Sequence, residues 1–197
     1  MGCIGFGDSN FKFAVYIENR PSMFEYKGLS TLVPLSLGEI DAINQCCGNG
    51  WRKVFNVYAK LLYALNQKYF NFSAKALTWQ AYRDHYLLQA QSDTALLFSA
   101  PNLLSSQLSY APLSSTQVMA KRINPPKKEV VHIICGKGHA KALIKSGKLI
   151  DNLVWLDNDF AIDSKNKLIV CPYFDYRQLS DIKIERLSAL LLSLVWK

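Results

Sequence analysis

Apolar and polar residues alternate from Phe11 to Glu18 (FKFAVYIE), with Phe11, Phe13, Val15 and Ile17 on one side and Lys12 and Glu18 on the other. A period of two predicts a half-buried strand, here an edge strand, and Pro21 closes it. The period then lengthens. Ser36 and Glu39 have capping-box spacing, with Leu35 and Ile40 placed as a hydrophobic staple, and Leu37, Ile40, Ile43 and Cys47 continue a helical stripe. After Gly48-Asn49-Gly50, a second helix is predicted from Trp51 to Gln67, with Val54, Phe55, Tyr58, Leu61, Leu62 and Leu65 facing the core. Ser73 is positioned to cap a third, ending near Gln91, with Leu77, Ala81, His85 and Leu88 in register.

The pattern changes at Asp93. Thr94 to Phe98 (TALLF) is a short continuous apolar run, the mark of a buried parallel strand. Residues 103 to 126 are rich in serine and proline and are expected to form a long excursion, with a short helix near Thr116 to Lys121. Val130 to Cys135 (VVHIIC) predicts another buried strand, Gly136-Lys137-Gly138 a turn, and His139 to Lys145 a helix. Leu153 to Leu156 and Leu168 to Cys171 predict further strands, the latter paired with Phe160 to Asp163 across Ser164-Lys165-Asn166. Ser180 is placed to cap a last helix with Ile184, Leu187, Leu191 and Leu194 buried.

Strands alternating with helices predict an α/β fold of three layers, with helices on both faces of a mainly parallel or mixed sheet of about four to five strands. One domain over 1–197 is expected: a mostly helical part, 1–92, after an edge strand, then an α/β part, 93–197.

Half of the 197 residues are hydrophobic and 19% are charged, which excludes a disordered chain. Met1 to Asn10 lacks the basic and apolar regions of a secretory signal, and Phe6 stands where a myristoylation motif places Ser or Thr. No run approaches the roughly 18 apolar residues of a membrane helix. A soluble, cytoplasmic protein without a membrane partner is therefore expected. The five cysteines show no C-x-x-C spacing and the three histidines no metal-ligand spacing, so neither a metal nor a cofactor is implied. Cys135 and Cys171 end apolar runs and are expected to be buried thiols.

The net charge of +8 is concentrated. Residues 121 to 148 carry eight lysines and arginines against the single acid Glu129, a local charge of +7. Four of these, Lys137, Lys141, Lys145 and Lys148, recur at spacings of 4, 4 and 3 along one helix face, while Ala140, Leu143, Ile144 and Gly147 point the other way. With Lys121, Arg122, Lys127 and Lys128 they form a candidate track for a polyanion backbone. A merely solvated helix face is the competing reading.

Ligands of open α/β sheets bind at the carboxyl ends of strands. Three such ends carry candidate chemistry: Ser99 and Asn102; Gly136, Lys137, Gly138 and His139; and Tyr173, Asp175, Tyr176 and Arg177. The second leaves free N–H groups at a helix N-terminus, which suits a phosphate, though a plain strand-to-helix turn also uses glycine. It lacks Walker A and G-x-G-x-x-G spacing, since Val131 and Lys141 stand where those motifs need glycine. Tyr173 and Tyr176 are candidates for stacking on bases beside Arg177. Asn102, His139 and Asp175 are the candidate catalytic residues, Asp175 as a base or as a partner of Arg177.

The runs VVHIICGKGHAKAL and LIVCPYFDYRQLSDIKIERLSALL resemble the uracil-DNA glycosylase superfamily, in which a strand ending in Gly-Lys precedes a small-residue helix and a later strand ends in a proline loop that touches DNA. The resemblance covers about half the chain, with 130–140 in the place of the Gly-Lys strand and 171–180 in the place of the proline loop, and implies an α/β fold that contacts DNA through the latter. Cys171-Pro172-Tyr173 keeps only the proline of that family's His-Pro-Ser, and Ser99-Ala100 stand before Pro101 in place of its catalytic acid or asparagine. The chain also resembles an uncharacterised bacterial family. Three functions follow: binding of a nucleotide or nucleic acid, catalysis on a small phosphorylated substrate, or a non-catalytic interaction.

Overall fold

Eight short strands, not four or five, build one mixed sheet in the computed structural model, which describes residues 2–103 and 130–195. The serine- and proline-rich excursion beyond residue 103, its expected helix, and Lys121, Arg122, Lys127 and Lys128 lie outside the described residues. In chain order the strands are β1 (Gly5–Gly7), β2 (Phe13–Tyr16), β3 (Leu32–Val33), β4 (Thr94–Leu97), β5 (Val131–Cys135), β6 (Val154–Trp155), β7 (Ala161–Asp163) and β8 (Leu168–Cys171). The helices are α1 (Phe24–Lys27), α2 (Glu39–Cys47), α3 (Asn49–Ala64), α4 (Trp79–His85), α5 (Lys137–Lys145) and α6 (Asp181–Val195). The sheet order is β3-β1-β4-β2-β5-β8-β7-β6. Four central strands, β4-β2-β5-β8, run parallel, and β1 and β7 lie antiparallel at their flanks.

The predicted edge strand is thus an interior one. β2 pairs with β4 on one side and β5 on the other, and all four of its residues are buried. Lys12 and Glu18, whose polarity suggested a wet face, lie just beyond its ends. Within the strand the period of two separates two buried faces. Phe13 and Val15 join Leu96, Ile133 and Ile169 in a core with α2, α3, α4 and α6. Ala14 and Tyr16 join Ala95, Ile134 and Val170 in a second core against Ala140 and Leu143 of α5. Helices therefore lie on both faces, and the strands of the first 92 residues share the sheet with those that follow.

α3 and α6 form on the predicted stripes: Val54, Phe55, Tyr58, Leu61 and Leu62 are buried on one, Ile184, Leu187, Leu191 and Leu194 on the other. The Tyr58 hydroxyl donates to the Ala95 carbonyl at 3.1 Å, so its burial leaves no polar atom stranded. Gly38, at φ 88°, and not Ser36 takes the N-cap position of α2, with no side-chain cap; of the expected capping box only the Glu39 carboxylate accepting the Ser36 N–H forms, and that carboxylate also accepts the Tyr26 hydroxyl at 2.8 Å. Leu37 stays outside that helix and is 68% exposed. The hairpin β7–β8 forms around Asp163, whose Oδ1 accepts the N–H groups of Lys165 and Asn166.

The third helix is a correction. Ser73 begins only a short 3-10 turn, Ser73–Lys75, and Thr78 caps α4 by accepting the Ala81 N–H at 3.1 Å. α4 stops at His85 because Leu88 turns to φ 60°, giving its N–H to Thr94 Oγ1 and its carbonyl to the Leu35 N–H. Gln91 and Asp93 also hold positive φ, a conformation that costs a non-glycine residue about 1–2 kcal/mol. Tyr82 supplies the buried face expected of Leu77, which is 97% exposed.

Between the sheet's central strands, the Tyr16 hydroxyl lies 2.8 Å from His132 Nδ1, and the rings stack at 5.8 Å. Burial lowers the His132 pKa from its ordinary 6.5 to about 4. The unfolded chain then binds a proton more readily than the folded one, so stability present above pH 6.5 is lost as pH falls toward 4. The loss attributable to this group is about 3 kcal/mol. A Tyr16→Phe/His132→Phe variant is expected to flatten that part of the profile in urea unfolding measured across this range. Gln91→Gly, at an exposed position with φ 61°, is expected to raise stability by about 0.5 kcal/mol, read as a small rise in Tm.

Candidate functional site

Because β4, β2, β5 and β8 are parallel, their carboxyl ends share one edge of the sheet. The segments leaving that edge begin at Phe98, Ile17, Gly136 and Pro172. β5 and β8 are neighbours, and the ladder runs one step past them: the Gly136 N–H donates to the Cys171 carbonyl at 2.8 Å. Gly136 then turns at φ 94°, which a side chain would resist, and α5 starts. The first helical bond is Ala140 N–H to the Gly136 carbonyl. The N–H groups of Lys137, Gly138 and His139 precede it and point out of the helix end. A Cβ added at Gly138 would meet nothing within 4 Å, so neither packing nor backbone angle demands glycine there. The helix surface at Gly138 is open.

An open cleft of about 330 Å³ lies at this end of the sheet, between the two helix layers. Gly136 and Lys137 line it from β5–α5, Tyr173, Arg177 and Gln178 from the loop after β8, Asn158 and Asp159 from the β6–β7 turn, and Lys183 from α6. The structure thus brings Gly136, Lys137, Tyr173 and Arg177 together, as the strand-end argument expects. Lys137 Nζ sits 4.7 Å above the Trp155 ring and 3.4 Å from the Asn158 carbonyl. Lys183 Nζ pairs with Asp159 at 2.8 Å, and Arg186 pairs with Asp157, so two ion pairs hold the β6–β7 turn against α6. Backbone N–H groups of Asp159 and Phe160 hold the Asp157 carboxyl below its ordinary range, with Arg186 adding to the effect. The Arg177 side chain is exposed and hydrogen-bonds no described residue.

Tyr173 stands beside Gly136, and its hydroxyl accepts from Asn19 Nδ2 at 3.3 Å. Burial raises its pKa. His139 is half-buried, which lowers its pKa, and the carboxylate of Glu18 opposes that shift. Asp175 pairs with Lys53 of α3 at 2.7 Å and accepts the Arg177 N–H at 3.0 Å, while Lys53 Nζ lies 5.0 Å over the Tyr176 ring. Burial pushes the Asp175 pKa up, but Lys53 and the Arg177 N–H outweigh it and the net shift is downward. A carboxylate so held is a poor proton acceptor and a good anchor for the loop.

The other candidates separate from this cluster. Asn102 is exposed, and its neighbours Pro101 and Leu103 lie against Gly147–Ile150 and Asn166, at the far end of α5 and the opposite edge of the sheet. Ser99 is held at the end of β4, where its hydroxyl accepts the Ile4 N–H at 3.2 Å. Convergence of the first loop with the other two is lost because β2 lies between β4 and β5 and the chain after Ser99 turns away. Lys141, Lys145 and Lys148 are exposed, with no ion pair among the described residues, and run from the cleft end of α5 toward its other end. Sequence reasoning missed Glu18, Asn19, Lys53, Asp159 and Lys183. Glu18 and Asn19 were within reach of it, since they end a strand now known to be central. Lys53, Asp159 and Lys183 carried no local signal.

Removing Lys53 leaves a mostly buried carboxylate without its cation. Lys53→Met is expected to cost about 1 kcal/mol of stability in urea unfolding, with Asp175→Asn recovering part of it in the double variant. Comparison with curated proteins finds no match, and comparison with solved structures finds none. A family model does match, across residues 4–192, and so covers the central strands, the cleft and both helix layers. The chain belongs to the Family of unknown function (DUF6942).

Proposed function

We propose that the protein binds the phosphate group of a nucleotide or a nucleic acid in the cleft at the carboxyl edge of the sheet. One observation carries this reading: the start of α5 at Gly136 and Lys137 shares a cleft with Arg177 from the loop after β8, and nothing crowds the helix surface at Gly138 beside it. Unpaired N–H groups and the positive end of the helix dipole favour an anion there, and the guanidinium of Arg177 suits a phosphate geometrically. The half-exposed ring of Tyr173 offers a base a surface to stack on. Lys141, Lys145 and Lys148 extend the positive surface for a longer polyanion. In this reading the resemblance to uracil-DNA glycosylases extends to DNA contact and not to base hydrolysis, since Ser99 and Ala100 replace the acid or asparagine that chemistry uses.

A second reading, catalysis on a small phosphorylated substrate, is favoured by the half-buried imidazole of His139, whose pKa burial lowers, in the field of Glu18. Lys137 then holds the anion, His139 takes the proton, and Asp175 with Lys53 fixes the loop.

Both are tested with the full chain. Nucleotide binding by calorimetry and oligonucleotide binding by fluorescence anisotropy, at about 50 and 200 mM salt, should show affinity falling with salt. Lys137→Ala and Arg177→Ala should each weaken nucleotide binding about tenfold. Replacing Lys141, Lys145 and Lys148 together by Gln should spare the nucleotide and reduce the salt slope for single strands by about 2. Absent or salt-indifferent binding ends the first reading. Phosphorus NMR of nucleotides and sugar phosphates incubated with the protein decides the second, which fails if no turnover appears or if His139→Ala leaves it unchanged.

A further inference from the structure

We infer that the nucleotide held in the cleft carries guanine, recognised by the carboxylate of Glu18, an assignment that rests on phosphate binding at that cleft. Register brings the residues together. Tyr16 pairs with Ile134, and Cys135 with Cys171, so the same register continued past the strand ends puts Glu18 level with Gly136 and Pro172. One residue further, Asn19 Nδ2 donates to the Tyr173 hydroxyl at 3.3 Å, although β5 lies between their two strands. The Tyr173 side chain makes that reach over Gly136, where an added Cβ would stand 4.0 Å from Cδ2 of the ring. The ring therefore runs from the cleft, which it lines, to Asn19 beside Glu18. Glu18 is exposed, and its carboxylate makes no hydrogen bond or ion pair among the described residues. Burial governs the pKa shifts of His139 and Tyr173, and the nearby charge of Glu18 raises both.

A carboxylate repels a phosphate, so Glu18 serves the other end of the ligand. With the phosphate at Lys137 and Arg177, the base stacks on Tyr173 and its outer edge points to the hydroxyl end of that ring, where Glu18 and Asn19 stand. The ribose lies between phosphate and base and stays nearer the cleft, so the carboxylate meets base donors and not sugar hydroxyls. An ionised carboxylate only accepts, and it is best satisfied by two N–H groups side by side. Of the four common bases, guanine alone presents that pair, N1–H beside its amino group, on the Watson–Crick edge. Adenine and cytosine set one amino group beside a bare ring nitrogen, and uracil sets its imino N–H between two carbonyls. Each of these turns a lone pair toward the carboxylate.

The test titrates GMP, AMP, CMP, UMP and IMP into the full chain by calorimetry; IMP keeps the N1–H of guanine and lacks its amino group. GMP is expected to bind about tenfold more tightly than AMP, with IMP between them. Glu18→Gln should bring GMP to within about threefold of AMP, while AMP binds as well as before or better because a repelling charge is gone. Equal affinity for GMP, AMP, CMP and UMP overturns the guanine assignment and leaves phosphate binding at the cleft standing. Binding of none overturns both. A preference for GMP that survives in Glu18→Gln, or a loss of affinity for every nucleotide in that variant, removes the carboxylate from base recognition and overturns the inference.

Discussion

Strand β2 has a neighbour on each side and a helix layer on each face, so every backbone amide and side chain it carries must find its partner inside the protein. That requirement organises the rest. The register Phe13↔Thr94 and Phe13↔Val131 sets β4 and β5 parallel to it, and β8 follows β5 in the same direction. Four carboxyl ends then fall on one edge. Side chains of β2 part to opposite cores, Phe13 and Val15 toward the larger helix layer and Tyr16 toward α5. The cleft, the open turn of α5 and the loop after β8 are where they are because β2 lies in the middle.

The cations around the cleft differ in how far they are already committed. Lys53 is spent on Asp175, and Lys183 on Asp159. Lys137 is steadied by the face of Trp155 and one carbonyl, neither of which neutralises its charge. Arg177 makes no side-chain hydrogen bond to a described residue and feels the Asp175 carboxylate only through its charge. The ion pairs thus fix the walls, and Lys137 and Arg177, neither in an ion pair among the described residues, line the opening. The same division appears in the carboxylates: Asp157, Asp159 and Asp175 hold loops in place.

Much of this was legible in the sequence. Long stripes such as Ile184, Leu187, Leu191 and Leu194 need only a period, and continuous runs such as VVHIIC only a buried sheet. Gly136, Lys137, Tyr173 and Arg177 followed from the rule that places ligands beyond strand ends. The central position of β2 was hidden because its polar flanks, Lys12 and Glu18, lie outside the paired residues and imitate a wet face. β1 and β3 are two or three residues long and leave no periodic trace. The early stop of α4 depends on Thr94 Oγ1 and the Leu35 N–H, partners that no local pattern reports. Lys53, Asp159 and Lys183 reach the site from elements far apart in sequence, so only the fold could assemble them.

The order of strands also bears on how the chain reaches this state. β2 ends at Tyr16, yet one of its two partners, Val131–Cys135, comes much later in the chain. Until that strand emerges, Phe13, Val15 and Tyr16 have a sheet on one side at most, and their unpaired edge is open to any extended segment nearby. Contacts this distant close slowly, since the loop entropy is spent before the pairing is gained. The pairing of β2 with β5 is therefore among the slower contacts of the sheet. Until β5 follows, β2 is an aromatic strand with an unsatisfied edge, and that interval is when the chain is most exposed to misassociation.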